Sequence, residues 1–139
     1  MYAGVILPLT FMTIFVSQAL WIWHGVNEWT RDGARYAATN CYDADAVNRV
    51  ITYMQTHVPP IVDQAQFQTG GTATVLVQYS EPACDGCVPD TVSVSVADYT
   101  FGRLAGYLRL PGIPIPPFTT NLPMESAGFR DGSGACATP

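Results

Sequence analysis

The sequence predicts an α+β protein in two parts: a long N-terminal apolar helix over residues 1–40, and a small disulfide-braced head over 41–139 with one further helix and a short antiparallel sheet. Three observations predict it. No charged residue occurs before Glu28, so the chain opens with a stretch suited to no water-soluble surface. Past Cys41 the apolar residues recur once at helical spacing and then alternate twice at strand spacing. Four cysteines fall in the remainder, a segment of the size that often needs covalent bracing.

The opening stretch reads MYAGVILPLTFMTIFVSQALWIWHGVN. As a helix it is roughly 40 Å long, more than the roughly 30 Å of a bilayer's hydrocarbon core. Leu9, Phe11, Met12, Ile14, Phe15, Val16, Leu20, Trp21, Ile22 and Trp23 cover every side of the helical wheel, so the helix must be buried all round, in lipid or among other helices. A cleavable signal peptide would carry a basic n-region, a shorter apolar core and a small-x-small cleavage site, and none of these fits. Pro8 predicts a kink or a locally melted turn near the start. Trp21, Trp23 and Trp29 cluster toward the polar end, as an interfacial aromatic belt does.

Beyond Glu28 the helix is expected to continue. Glu28 and Arg31 are three apart, as are Asp32 and Arg35, so opposite charges meet on a solvated face. Ala34, Ala37 and Ala38 favour helix and permit close packing. Asn40 and Cys41 end it.

Charged residues make up 12% of the chain and lysine is absent, against about a quarter charged in typical soluble proteins. The cations, Arg31, Arg35, Arg49, Arg103, Arg109 and Arg130, are scattered, and the net charge is -5. A nucleic-acid binder needs clustered basic residues to displace counterions, so that class is set aside. An acidic surface rich in Thr, Ser, Gly and Pro suits an extracellular face.

In the head, Val47, Val50, Ile51, Met54 and Val58 mark one amphipathic helix. Asp43 is its expected N-cap, Asp45 favours the positive end of the dipole, His57 the negative end, and Pro59-Pro60 stops it. Residues 72–80 alternate Ala73, Val75, Val77 and Tyr79 against polar neighbours, with Leu76 breaking the pattern. Residues 91–101 alternate again, but Tyr99 and Phe101 have the opposite parity to Val92, Val94 and Val96, which predicts a bulge near Ala97-Asp98. The two strands form a hairpin closed by EPACDGCVPD. A weaker third strand is expected over 122–130, with Leu122, Met124 and Phe129, and the proline-rich LPGIPIPPFTT should run extended over the surface.

Four cysteines in a small exported domain most often make two disulfides, with three possible pairings. Cys84 with Cys87 is favoured because Asp85-Gly86 turns the chain between them; Cys41 with Cys136 would then fasten the tail to the helix end. A c-type haem site would need His where Val88 stands. A thioredoxin-type pair belongs at a helix N-terminus rather than in a hairpin loop, and a zinc site lacks a second CxxC knuckle. No nucleophile elbow, phosphate loop or HExxH occurs, and the two histidines, His24 and His57, sit in the apolar helix and at a helix end. Neither an enzyme nor a metal or other cofactor is expected.

ILPLTFMTIFVSQALWIWHGVNEWTRDGARYAA resembles the N-terminal region of TadE-like pilins, pseudopilin-type subunits of tight-adherence pilus systems. In that family a Pro-containing apolar helix runs into an A-x-R-(D/E)-G-A-R-Y-A-A element, matched here from Arg31 through Ala38. DTVSVSVADYTF and LPMESAGFR resemble its later strands more weakly. The resemblance implies a type IV pilin-like lollipop, with Pro8, Phe11, Ile14, Phe15 and Leu20 in a filament core and Glu28, Arg31, Asp32, Arg35 and Tyr36 at the helix-to-head junction. It implies a homo-oligomeric helical filament on the bacterial surface, serving adhesion. The inner membrane would hold the subunit before assembly, and a prepilin peptidase and an assembly platform would be its partners.

The helix's physics alone fits a plain membrane anchor; the Arg31–Ala38 element is what points to a filament. Three readings follow: a structural pilus subunit, a minor pilin that primes assembly or caps the tip, and a single-pass membrane-anchored extracellular binding domain. One departure stands out. Pilins carry a glutamate a few residues into the mature chain, whereas Tyr2, Ala3, Gly4, Val5 and Ile6 include no acid, and Tyr2 falls where the glutamate usually sits. The chain is then either a processed form or a subunit without that glutamate. Arg31 and Arg35 follow the apolar helix with no positive charge ahead of it, so positive-inside bias alone would leave the head in the cytoplasm. If the chain is the mature product of a prepilin peptidase, the resemblance implies a short basic leader ending in Gly, cleaved to expose Met1, which would restore the head to the outside.

Overall fold

The computed structural model describes residues 3–68, 70–80, 89–101, 112–124, 129–130 and 136–137. Helix α1 spans Ala3–Thr39 without a break at Pro8, about 55 Å of helix at 1.5 Å per residue. The missing proline N–H removes one bond in the first turns, and the melted turn expected there does not form. Thr10, Thr13 and Ser17 each donate to a carbonyl one turn earlier, at 2.8 Å, so these hydroxyls bring no unsatisfied donor into the apolar stretch. After Thr39, the Asn40 N–H and side-chain amide both close on the Tyr36 carbonyl, at 3.2 and 2.7 Å.

Helix α2 covers Ala46–Thr56, two residues later than an Asp43 cap would start it. Asp43 shapes the preceding turn instead. Its carboxylate accepts the Asp45 N–H at 3.0 Å, and its carbonyl accepts the Ala46 N–H at 3.0 Å, an Asx-type turn that delays the helix. Asp45 takes the cap position without a side-chain bond. Arg49 reaches back to donate to Asp43 at 2.6 Å and to the Cys41 carbonyl at 2.8 Å, clamping the connection between the helices. His57 closes the C-terminal end through its N–H to Tyr53 and Met54. A single 3-10 turn, Gln64–Phe67, follows, unannounced by any periodicity.

Strand β1, Thr74–Tyr79, pairs antiparallel with β2, Thr91–Ala97, from Thr74 opposite Ala97 to Tyr79 opposite Val92. This is the expected hairpin pair; its closing loop, residues 81–88, lies outside the described residues. The expected bulge at Ala97-Asp98 is a full break. Asp98 adopts φ 59°, a left-handed conformation that Asp tolerates better than most residues. β2 stops there, and β3, Thr100–Phe101, pairs with β4, Ile113–Pro114, in a separate two-stranded sheet. The parity switch from Val96 to Tyr99 is the sequence trace of that break.

The third strand of the main sheet is β5, Phe118–Pro123, antiparallel to β2. It starts earlier than 122 and takes in the FTT that was expected to run free over the surface. Between Pro117 and Pro123 no proline interrupts the ladder, and an edge strand tolerates prolines at its ends. β6, Phe129–Arg130, turns away to pair with β7, Cys136–Ala137.

The main sheet has the order β1-β2-β5. α1 lies across β2 and β5, and α2 packs on α1 and β1, which makes two layers. Val75, Val77, Val92, Val94, Val96 and Phe118 face the helices and are buried, each burial worth about 1.5–3 kcal/mol against exposure. The opposite face carries Thr74, Gln78, Thr91 and Thr119, with Leu76 46% exposed among them.

Candidate functional site

Among the described residues no His, Cys, Asp and Glu side chains cluster in threes that could hold a metal. The feature that sets the molecule apart is α1, which wears the head on one side and only along part of its length. The covered stripe is Phe15, Ala19, Ile22, Val26, Trp29, Thr30, Gly33, Ala34, Ala37 and Ala38, recurring every three or four residues as one face of a helix must. Val26, Thr30, Ala34 and Ala37 are 0% exposed. The buried Thr30 hydroxyl in that stripe donates to the Val26 carbonyl at 2.8 Å.

The RDGARYAA element sits where the two helices and the sheet converge, and the stripe explains its composition. A Cβ on Gly33 would run into the Met54 side chain, nearest Sδ, so α2 seats its buried methionine directly over this glycine. Arg31, Asp32 and Arg35 project to solvent. Arg31 pairs with Glu28 at 3.1 Å with both side chains about half exposed, a contact worth a few tenths of a kcal/mol. Asp32 and Arg35 make no ion pair with each other, contrary to the spacing; both are exposed, where hydration competes with a weak i,i+3 attraction. Tyr36 stacks on Tyr53 with ring centroids 4.0 Å apart, and Tyr53 stacks in turn on His57 at 4.3 Å.

Toward its N-terminus α1 is bare. Pro8 is exposed, and Phe11, Ile14 and Leu20 are 59%, 52% and 63% exposed. Phe15 differs from these: it is half-buried, its ring 5.3 Å from Phe101, so it belongs to the head as well as to the helix. The expected aromatic belt also divides. Trp21 and Trp23 are exposed, with Trp23 edge-on to Phe118 at 4.8 Å. Trp29 is 4% exposed, edge-on to Phe67 at 4.8 Å, and its buried Nε1 has no hydrogen-bond partner among the described residues. Its place in the stripe with Ile22, Val26 and Gly33 was readable from spacing alone.

α1 contains a segment long and apolar enough to cross a membrane, and only 6% of its most apolar window is buried. A soluble protein's core helix would be mostly covered; most of this window is not covered by the head.

Cys41, at the end of α1, is buried and disulfide-bonded. Cys84, Cys87 and the side chain of Cys136 lie outside the described residues, as does the pairing. Beside Cys41, the Tyr42 and Tyr79 rings are 5.0 Å apart. Burial pushes the Tyr79 phenol up to about 12. The hydrogen bond that Arg49 donates to Asp43 raises the guanidinium against the opposing effect of burial, so it stays charged.

No family model, curated protein or solved structure matches the chain.

Proposed function

We propose that the chain is a structural subunit of a tight-adherence-type, type IV-like pilus. The observation that carries the reading is the division of α1: an apolar first part, bare up to Ile14, continues into a second part whose one face, from Phe15 to Ala38, is built into the head. In the inner membrane, lipid covers the bare half. In the filament, the same surface of neighbouring copies replaces lipid, and the heads form the outer face. Pro8, Phe11, Ile14 and Leu20 serve the filament core. Phe15 does so in part, being shared with Phe101. Glu28, Arg31, Asp32, Arg35 and Tyr36 form the junction.

On this reading the head is extracellular and two disulfides brace it, Cys84 with Cys87 and Cys41 with Cys136. The partners are further copies of the chain, a prepilin peptidase and an assembly platform, and the filament serves attachment to surfaces. Negative-stain microscopy of sheared surface material, with mass spectrometry of its proteins, tests the proposal. Abundance of the chain in filaments supports it, and trace amounts assign it to a priming or tip subunit. Absence from filaments favours the second reading, a single-pass anchored extracellular domain, for which the bare helix needs no partner other than lipid.

A further inference from the structure

The apolar part of α1 and the head overlap. The first charge on the helix is Glu28, and the exposed Trp21 and Trp23 mark the level at which a bilayer's interface would lie. The head, however, already touches the helix at Phe15, through Phe101 at 5.3 Å. From Phe15 to Trp23 is about 12 Å along the axis, about twice the depth of one interfacial layer, roughly 6 Å. With Trp23 at the interface, Phe15 lies among acyl chains, and its partner on the head goes with it.

The head's edge at that level has the composition such a position requires. Pro114 and Pro116 are exposed and Ile115 is half-buried beside them. With Phe101 on one side and Val16, Leu20 and Trp23 of α1 on the other, they line an open groove of about 230 Å³. No charged side chain lines it among the described residues. Trp23 also contacts the head directly, edge-on to Phe118 at 4.8 Å, so the interfacial marker lies at the level of the head. An uncharged, proline-stiffened apolar rim continuous with a lipid-facing helix is a surface for lipid rather than for water.

We infer that this rim is a membrane-contacting surface: Pro114, Ile115 and Pro116, with Val16, Leu20 and Trp23, seat in the boundary between headgroups and acyl chains of a phospholipid bilayer, so that the head rides partly immersed instead of standing clear. The inference rests on the membrane anchor and not on filament assembly.

The test uses the full chain reconstituted in phosphatidylcholine vesicles, with a photo-crosslinking phenylalanine derivative replacing Pro116 and, in a second variant, Pro114. Leu9, on the bare half of α1, reports insertion, and the exposed Asn48, which shares the far end of the head with Tyr36, reports the aqueous background. That end lies about 20 Å beyond Trp23 along α1. Several-fold more lipid adduct from Pro116 or Pro114 than from Asn48 is expected. Adduct from Leu9 together with background levels at both prolines would overturn the inference and leave the anchor standing. No lipid adduct from Leu9 would overturn both. Crosslinks from the prolines to a second copy of the chain in place of lipid would also overturn it, assigning the groove to self-association.

Discussion

Gly33→Ala adds one methyl group at the point where α1 and α2 come closest. The new Cβ would stand 2.4 Å from Met54 Sδ, 2.9 Å from Cγ and 3.0 Å from Cε. Met54 must withdraw by about 1 Å to restore ordinary contact, yet it is 0% exposed and has no solvent to withdraw into. Overpacking of this kind costs about 1–3 kcal/mol, while exchanging a mid-helix glycine for alanine returns about 1 kcal/mol. The net expectation is a loss of up to about 2 kcal/mol, and a domain of about 100 residues loses roughly 4–8 °C of Tm per kcal/mol. Shortening the obstacle reverses the sign. In a Met54→Ala background Gly33→Ala should stabilise by roughly its helix-propensity gain, giving a coupling of about 1–3 kcal/mol in the double-mutant cycle. Urea unfolding of the full chain in mild detergent, followed by near-UV circular dichroism, measures all four corners. Gly33→Ala stabilising the wild-type chain by about 1 kcal/mol, with no coupling to Met54, would refute the proposed reason for glycine in the RDGARYAA element.

Ile14→Asp, at a residue 52% exposed on the bare half of α1, should abolish filaments while the head's near-UV signal persists; Phe15→Asp should damage both, because its ring also packs on Phe101. Normal filaments from Ile14→Asp would contradict the assembly role of that face. Peptide mapping without reduction should recover Cys84 linked to Cys87 and Cys41 linked to Cys136, whereas a Cys41 link to Cys84 or Cys87 would show the tail misplaced. Burial raises the Tyr79 phenol from 10.0 to about 12, so its contribution is whole below pH 10 and is lost as the pH rises toward 12. Thermal melts across that window should fall more steeply for the wild type than for Tyr79→Phe, and equal slopes would count against the burial of that phenol.

Periodicity made much of this fold legible. Of Val47, Val50, Ile51, Met54 and Val58, read as one helix face, Val50 and Met54 are buried in the helix, Val47 and Ile51 are half-buried, and Val58 is buried beyond its end at Thr56; Val92, Val94 and Val96 read as an inward row and form one, and Leu76, out of step with its strand, is exposed. The departures share a cause. The break at Asp98, the early start of β5 and the 3-10 turn before β1 depend on partners far along the chain. Gln66 illustrates this: its side-chain amide donates to the Thr100 carbonyl at 2.8 Å and accepts from the Thr100 N–H at 3.0 Å. No local pattern announces a glutamine that bonds a strand 34 positions away. At the junction, the small residues of RDGARYAA were visible as packing residues, but Met54 as the reason for Gly33 was not. Trp29 clusters with Trp21 and Trp23 as an interfacial residue does, while the stripe through Val26 and Gly33 places it inward, and inward is where it lies. Phe15 was grouped with the bare residues because every face of the early helix is apolar, leaving no moment to show where the head begins.

Helical reconstruction of filaments purified from the cell surface tests the central claim most directly. The account predicts filaments built of this chain, with the Gly4–Ile14 segment of each copy packed against its neighbours near the axis and the β1-β2-β5 sheet outside. Filaments that lack the chain, or that place the sheet at the axis and leave those apolar residues facing solvent, would contradict it.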